Sequence, residues 1–425
     1  MYKLSKLKNG ANLISIPVPG TKAITVLALF PVGSRYETDK LAGASHFVEH
    51  MLFKGTSKRP STQLISRDLD AAGAEYNAFT GKDYTGYYVK IESGQQELAF
   101  DLLSDMIFHS LFETEAIEKE KSVIVEEIRM YQDNPAMHID SLFDQLVFAG
   151  NTLERDIAGS VQTVNAVSTA DLRGYYEHAY CPSNMVLVVA GAVKEAQLKK
   201  DLKYFLAIDG VKKTFNHDEY GKFAWSKELL PAEKRVAVQE RVVDQAQVIF
   251  GFPGLPHNHP DRFALSVLLN ILGGTMSSRL FEEVRNKRGL AYVVRSVSGG
   301  FRDTGVVQIQ AGLNPARLAE AVAVIKEELR KIALAPVTAK ELADAKNNFA
   351  GRTVLSLEDS SAVADWFAKQ FWFADKIETP DQSLAKIKKV TAADVLRLAR
   401  KIFDWQQVRV AAIGPMKKGD VVKLL

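Results

Sequence analysis

Two spacings of apolar residues run along the chain. Residues 22–32 form an apolar, β-branched run, the signature of a buried strand. Residues 42–53 and 62–72 place apolar side chains every three or four positions and predict helices, the second ending at Gly73. Residues 75–80 and 84–91 alternate as strands around Gly81-Lys82, a hairpin signal. Residues 95–110 and 114–131 read as long amphipathic helices, and 185–190 as a strand closed by Gly191. A similar order then recurs. Strands are predicted at 245–252, 291–298, 304–312 and 408–414, and helices at 261–272, 277–287, 315–333, 338–355 and 360–373. Between the halves, residues 203–233 carry Gly210, Gly221 and Pro231 and no long periodic segment. The expected class is α+β, with two structurally similar domains related by duplication, each a mostly antiparallel sheet packed with long helices. The expected division is 1–205, a linker region at 206–235, and 236–425.

Composition narrows the function classes. A length of 425 residues is enough for two or three domains. Lys plus Arg is 54 against 51 for Asp plus Glu, a net charge of +3, which argues against a general nucleic-acid binder. The single cysteine, Cys181, rules out an internal disulfide or a cysteine-rich zinc site and reads as a packing residue. The first residues show no apolar signal segment, and no apolar run approaches the roughly 20 residues of a membrane span. The expected location is cytoplasmic.

The chemistry concentrates in His46-Phe47-Val48-Glu49-His50. On a helix, His46 and His50 share one face a turn apart and can aim two imidazoles at one point. Two neutral imidazoles suit Zn²⁺, and Glu49 at the edge of that face is free to act as a general base toward water. Phe47, Val48, Met51 and Leu52 on the other faces mark a helix packed into a core. A catalytic zinc takes a third protein ligand. The helix predicted over 114–131 offers Glu118, Glu120, Glu126 and Glu127 among Val123, Ile124, Val125 and Ile128. Glu120 and Glu127 lie two turns apart on one face, and Glu126 points about 100° away. Residue type and spacing alone leave Glu126 and Glu127 level. Of the remaining histidines, His109, His138, His178 and His217 have no partner at ligand spacing, and His257-Asn258-His259-Pro260 reads as a loop before a helix.

The inverted His-x-x-Glu-His motif with Glu127 downstream resembles the pitrilysin/insulinase zinc metallopeptidases, in their half-length, processing-peptidase-like branch. Gly33-Ser34-Arg35-Tyr36-Glu37, Phe53-Lys54-Gly55-Thr56, Glu126-Glu127-Ile128 and Pro182-Ser183-Asn184-Met185 carry the resemblance along the chain. The resemblance implies one zinc per chain, held by His46, His50 and Glu127. Glu49 would be the general base and Glu120 a supporting acid. Asn77-Ala78-Phe79-Thr80 is similar to the family's substrate-pairing edge strand. Arg285 and Tyr292, following Gly273-Gly274-Thr275-Met276-Ser277-Ser278-Arg279, are similar to its Arg/Tyr pair, which contacts substrate carbonyls and stabilises the oxyanion.

The resemblance therefore implies a zinc endopeptidase acting on small or unfolded polypeptides inside a dimeric clamshell. Full-length relatives carry the zinc motif in the first of four domains and the Arg/Tyr pair in the fourth. This chain carries both, so a homodimer is expected, with Arg285 and Tyr292 acting in trans. The alternative is a non-catalytic or partner-dependent scaffold subunit of a processing-peptidase-like heterodimer.

Overall fold

The computed structural model describes residues 2–209, 215–216, 219–226 and 228–425; Gly210, His217 and part of the 206–235 linker lie outside the described residues. The chain forms two compact units. One comprises Met1–Arg129, Arg155–Gly221 and Val354–Ile377; the other comprises Met130–Glu154, Lys222–Thr353 and Glu378–Leu425.

The first unit is built on strands β1 (Lys3–Lys6), β2 (Asn12–Pro17), β3 (Ala23–Phe30), β4 (Glu75–Thr80), β5 (Thr85–Glu92) and β6 (Val186–Gly191), in the order β1-β2-β6-β3-β5-β4. All neighbours are antiparallel except β2 and β6. The second unit holds β7 (Val236–Glu240), β8 (Ala246–Pro253), β9 (Ala291–Gly300), β10 (Gly305–Leu313) and β11 (Arg409–Gly414), in the order β7-β11-β8-β10-β9. Here too one pair, β7 with β11, is parallel. Set β1 aside and the two sheets have the same connectivity and the same position for the parallel pair. That is the expected α+β class with two similar domains.

Both faces of each sheet are covered, which explains the uninterrupted apolar runs. On β3, Ile24, Val26, Ala28 and Phe30 enter a core with Phe47, Phe100 and Leu103. Leu27 and Leu29 point the other way, against Val363, Ala364 and Phe367 of the helix Ser360–Phe373. Ser360 and Thr25 share a buried hydroxyl–hydroxyl bond of 2.8 Å, and the Trp372 indole N–H donates to the Leu29 carbonyl. In the second unit, Val248, Phe250 and Val410 face helices Arg262–Gly273 and Leu318–Leu334. Ile249, Ala411 and Ile413 face Ile139, Phe143 and Val147 of the helix Pro135–Val147. A helix late in the sequence thus covers the first sheet, and a helix from the first half covers the second.

The apolar pattern did not anticipate β1, β2 and β7. The helix expected over 277–287 differs too. Helical structure there begins at Arg279 and over Phe281–Asn286 runs in wide turns closed by bonds such as Lys287 N–H to Glu282 C=O at 3.0 Å.

Candidate metal centre

The helix Ala44–Met51 buries Ala44, Phe47, Val48 and Met51, so its remaining face carries His46 and His50 as a unit. Their rings lie 4.6 Å apart, centroid to centroid. Opposite runs the helix Thr114–Asp133, fixed by Ile117, Ile124, Val125 and Ile128. It projects Glu127 between the imidazoles. Glu127 Oε2 is 3.6 Å from His46 Nε2 and 3.4 Å from His50 Nε2. Both separations exceed the usual hydrogen-bond range. They match the roughly 3.3 Å that separates two ligands of one tetrahedral zinc with bonds of about 2.0–2.1 Å. One ligand atom from each of the three residues lies within 4.8 Å of the others. The donor set, two imidazole nitrogens and a carboxylate oxygen, fits zinc.

The surroundings orient these donors. Glu120 is 3% exposed. Its Oε1 accepts from His50 Nδ1 at 2.7 Å and its Oε2 from Lys54 Nζ at 2.6 Å. That bond assigns the Nδ1 proton and leaves His50 Nε2 facing Glu127. Glu126, level with Glu127 in the sequence reading, turns outward to Arg129 at 2.5 Å. Glu118 turns out to Lys121.

The electrostatics separate the two imidazoles. Burial, helped by the neighbouring His50, lowers His46 to about 4, so it is neutral at pH 7. Burial also opposes charge on His50, but the carboxylates of Glu120 and Glu127 outweigh it and raise His50 to about 9. His50, facing Glu127 at 3.4 Å, holds it below the usual carboxylate range, and His46 adds to the pull. Burial raises Glu49, and Thr80 Oγ donates to Glu49 Oε2.

Thr80 ends β4, and β4 is an edge, paired only with β5 among the described residues. The two edges of this sheet are unlike. β1 carries Lys3 and Lys6, the kind of charge that blocks unwanted pairing. From Tyr76 through Asn77, Ala78 and Phe79 to Thr80, β4 carries no charge. Tyr76 and Ala78 pack toward the core shared with the His-bearing helix, while Phe79 packs on the opposite face.

Arg285 and Tyr292 belong to the other compact unit. The structure brings the two together. The Arg285 guanidinium lies 4.6 Å from the Phe281 ring centroid and 5.1 Å from that of Tyr292. Neighbouring carboxylates are engaged elsewhere, Glu283 with Lys287 and Arg288, and Glu282 with Asn286. Tyr292 is 67% exposed on β9, so the pair forms an open donor surface. His259 accepts from the Asp261 N–H as a loop residue ahead of the helix.

Sequence reasoning passed over Lys54 and Glu37 as individual contributors. Each lay in a motif, but no local spacing ties Lys54 to Glu120 or Glu37 to the His-bearing helix. Only the fold brings them there.

Comparison with known proteins identifies the family. Residues 13–161 match the family model described as insulinase (peptidase family M16), and residues 166–349 match the model described as peptidase M16 inactive domain. An uncharacterized zinc protease of Streptomyces coelicolor is 36% identical, over 98% of this chain and 90% of its own. An uncharacterized zinc protease of Bacillus subtilis is 33% identical, over 98% of both chains. In fold, the chain resembles a protease from Helicobacter pylori, with a TM-score of 0.90 at 24% identity over 98% of this chain and 99% of that one. It likewise resembles a peptidase M16 inactive domain from Pseudomonas fluorescens, with a TM-score of 0.88 at 18% identity over 98% of both chains. Among the described residues no helix is long and apolar enough to cross a membrane. With matches that span nearly its whole length, the chain belongs to the insulinase family of M16 peptidases.

Proposed function

We propose that the chain is a zinc-dependent endopeptidase. The observation that carries the reading is the convergence of His46, His50 and Glu127, with Glu49 tied by Thr80 to the end of an edge strand that is uncharged from Tyr76 onward. One zinc per chain would be held by those three residues, and when bound it supplies a Lewis acid. Glu49 takes a proton from the attacking water and returns it to the leaving amine; burial, by raising its affinity for a proton, suits it to both halves of that exchange. Glu120 holds His50 by Nδ1. The edge from Asn77 to Thr80 pairs with an extended peptide through main-chain hydrogen bonds, which favours small or unfolded polypeptides over folded ones.

Arg285 and Tyr292 point N–H and O–H donors at the substrate carbonyls and the developing oxyanion. In this reading they come from a second copy of the chain, so that two copies close one chamber. Two measurements test the proposal. Metal analysis with a quenched peptide should give one zinc per chain and cleavage that Glu49→Gln abolishes; zinc without Glu49-dependent cleavage would refute the enzyme. Mixing Glu49→Gln chains with Arg285→Ala chains should restore partial activity. No recovery after verified subunit exchange would refute action in trans.

The name of the model matched over residues 166–349, an inactive domain, is the observation behind the alternative of a non-catalytic or partner-dependent scaffold subunit of a heterodimer. Light scattering discriminates, since a stable two-chain particle made from this chain alone excludes an obligate heterologous partner.

A further inference from the structure

The His-bearing helix begins without a cap of its own. Gly43 occupies the N-cap position with φ 98°, in the left-handed region, and offers no side chain to the free N–H groups of the first turn. A side chain there is excluded, because a Cβ would lie 2.6 Å from the Ala158 carbonyl oxygen. The cap comes from six residues upstream. Glu37 Oε2 accepts from the Gly43 N–H and Oε1 from the Ser45 N–H, both at 2.7 Å. Glu37 is only 4% exposed. Its own carbonyl accepts from the Arg155 guanidinium, which also grips Asp39. Ser45 is held a second time, by a 2.6 Å bond between its hydroxyl and that of Tyr175.

His46 follows Ser45 directly. With both oxygens of one buried carboxylate on the first-turn amides, the helix is fixed in height and in rotation about its axis. The helix runs only from Ala44 to Met51, so a rotation of its first turn carries His46 away from Glu127 before the downstream packing can correct it.

We propose that Glu37 is a positioning residue for the metal centre, setting the approach of His46 to Glu127 through the backbone of the helix that carries it. This rests on the reading of the cluster as a zinc site.

The test is zinc affinity, measured by competition with a chromogenic chelator at a temperature where circular dichroism shows each variant folded. Glu37→Gln keeps an acceptor for one amide and turns an NH₂ toward the other. It should raise the zinc Kd about tenfold or more, in the range found for outer partners of metal ligands. Glu37→Asp should fall between Glu37→Gln and the unchanged protein. Leu187→Ala opens a cavity in β6 of the same unit, with Leu187 0% exposed, and should lower stability while leaving the zinc Kd unchanged. With peptide substrate, Glu37→Gln should lower kcat and leave KM in place. A wild-type zinc Kd in both Glu37 variants overturns the proposal. So does an equal loss of affinity in Leu187→Ala, or failure of both Glu37 variants to fold, since each makes Glu37 a general stability residue. Absence of zinc binding in the unchanged protein would instead refute the zinc site itself.

Discussion

Zinc uptake at pH 7 should release one proton per site, and the proton should come from His50. In the metal-free protein His46, held at about 4, has no proton to give at that pH, whereas His50, held at about 9, is charged. A metal ligand must be neutral imidazole, so zinc competes with the His50 proton. Two pH units separate 7 from 9. Apparent affinity at pH 7 should therefore lie about 100-fold below that at high pH. Between about pH 5 and 9 its logarithm should rise with a slope of about one. Glu120→Gln removes a carboxylate that holds the proton on His50, so proton release at pH 7 should fall below one. Calorimetric titration with zinc in two buffers of different ionisation enthalpy counts the protons. Release of none, or of two, would refute the division of labour between the two imidazoles. The same groups shape metal-free stability. His50 binds its proton more tightly folded than unfolded, so its contribution is complete below pH 6.5 and is lost toward pH 9. His46 binds its proton less tightly folded, so stability is also lost as pH falls from 6.5 toward 4. By themselves the two imidazoles favour a maximum of metal-free stability near pH 6.5, each limb contributing at most about 3 kcal/mol, and on the acid side Glu37 opposes them.

Other consequences follow from single contacts. Thr80→Val removes the hydroxyl that holds Glu49 and should lower kcat about tenfold with little change in KM, read from steady-state peptide hydrolysis. Phe143→Ala should cost about 3–5 kcal/mol in denaturant unfolding, because the ring is fully buried against β8 and β11. Gly251→Ala would drive a Cβ to 2.1 Å from the Phe143 ring and should destabilise by about 1–3 kcal/mol; adding Phe143→Leu should recover part of that loss, and simple additivity would contradict the contact. Glu37, pushed up to about 7 by burial, keeps its proton in the folded state where the unfolded chain has lost it. Its own contribution to stability should therefore fall by up to about 3 kcal/mol from pH 4.5 to 7, read as the difference between the denaturant midpoints of the unchanged protein and Glu37→Gln across that window.

The sequence makes local features legible and tertiary ones opaque. The His46–His50 spacing on an apolar helix predicts a shared face because helix geometry alone decides it. The strand near residues 22–32 is visible because burial on both faces leaves an unbroken apolar run. The first strand, Lys3–Lys6, is nearly all polar and hides as a tail. Asn12–Pro17 lies between turn-forming residues, and Val236–Glu240 carries its apolar residues on too short a stretch. Glu127 and Glu126 could not be ordered by spacing, since the rotation of their helix is set by what Ile117, Ile124 and Ile128 pack against. The pairings of Lys54 with Glu120, and of Glu37 with the amides of Gly43 and Ser45, depend on chain segments meeting, and periodicity carries no record of that. Nor does an amphipathic helix state which sheet it will cover.

The exchanged helices bear on how the protein is made. The first sheet holds Ile14, Ile16, Leu27, Leu29, Val186 and Val188 on the face covered by the helix Ser360–Phe373. During synthesis that face stays bare from the moment β6 emerges until the later helix leaves the ribosome, on the order of ten seconds at about 5–20 residues per second. A nascent chain in that interval carries His46, His50 and Glu127 on a unit whose sheet is unfinished and adhesive. A chaperone that shields apolar strands should bind it preferentially within that window, and a fragment ending at β6 should remain a client throughout its lifetime.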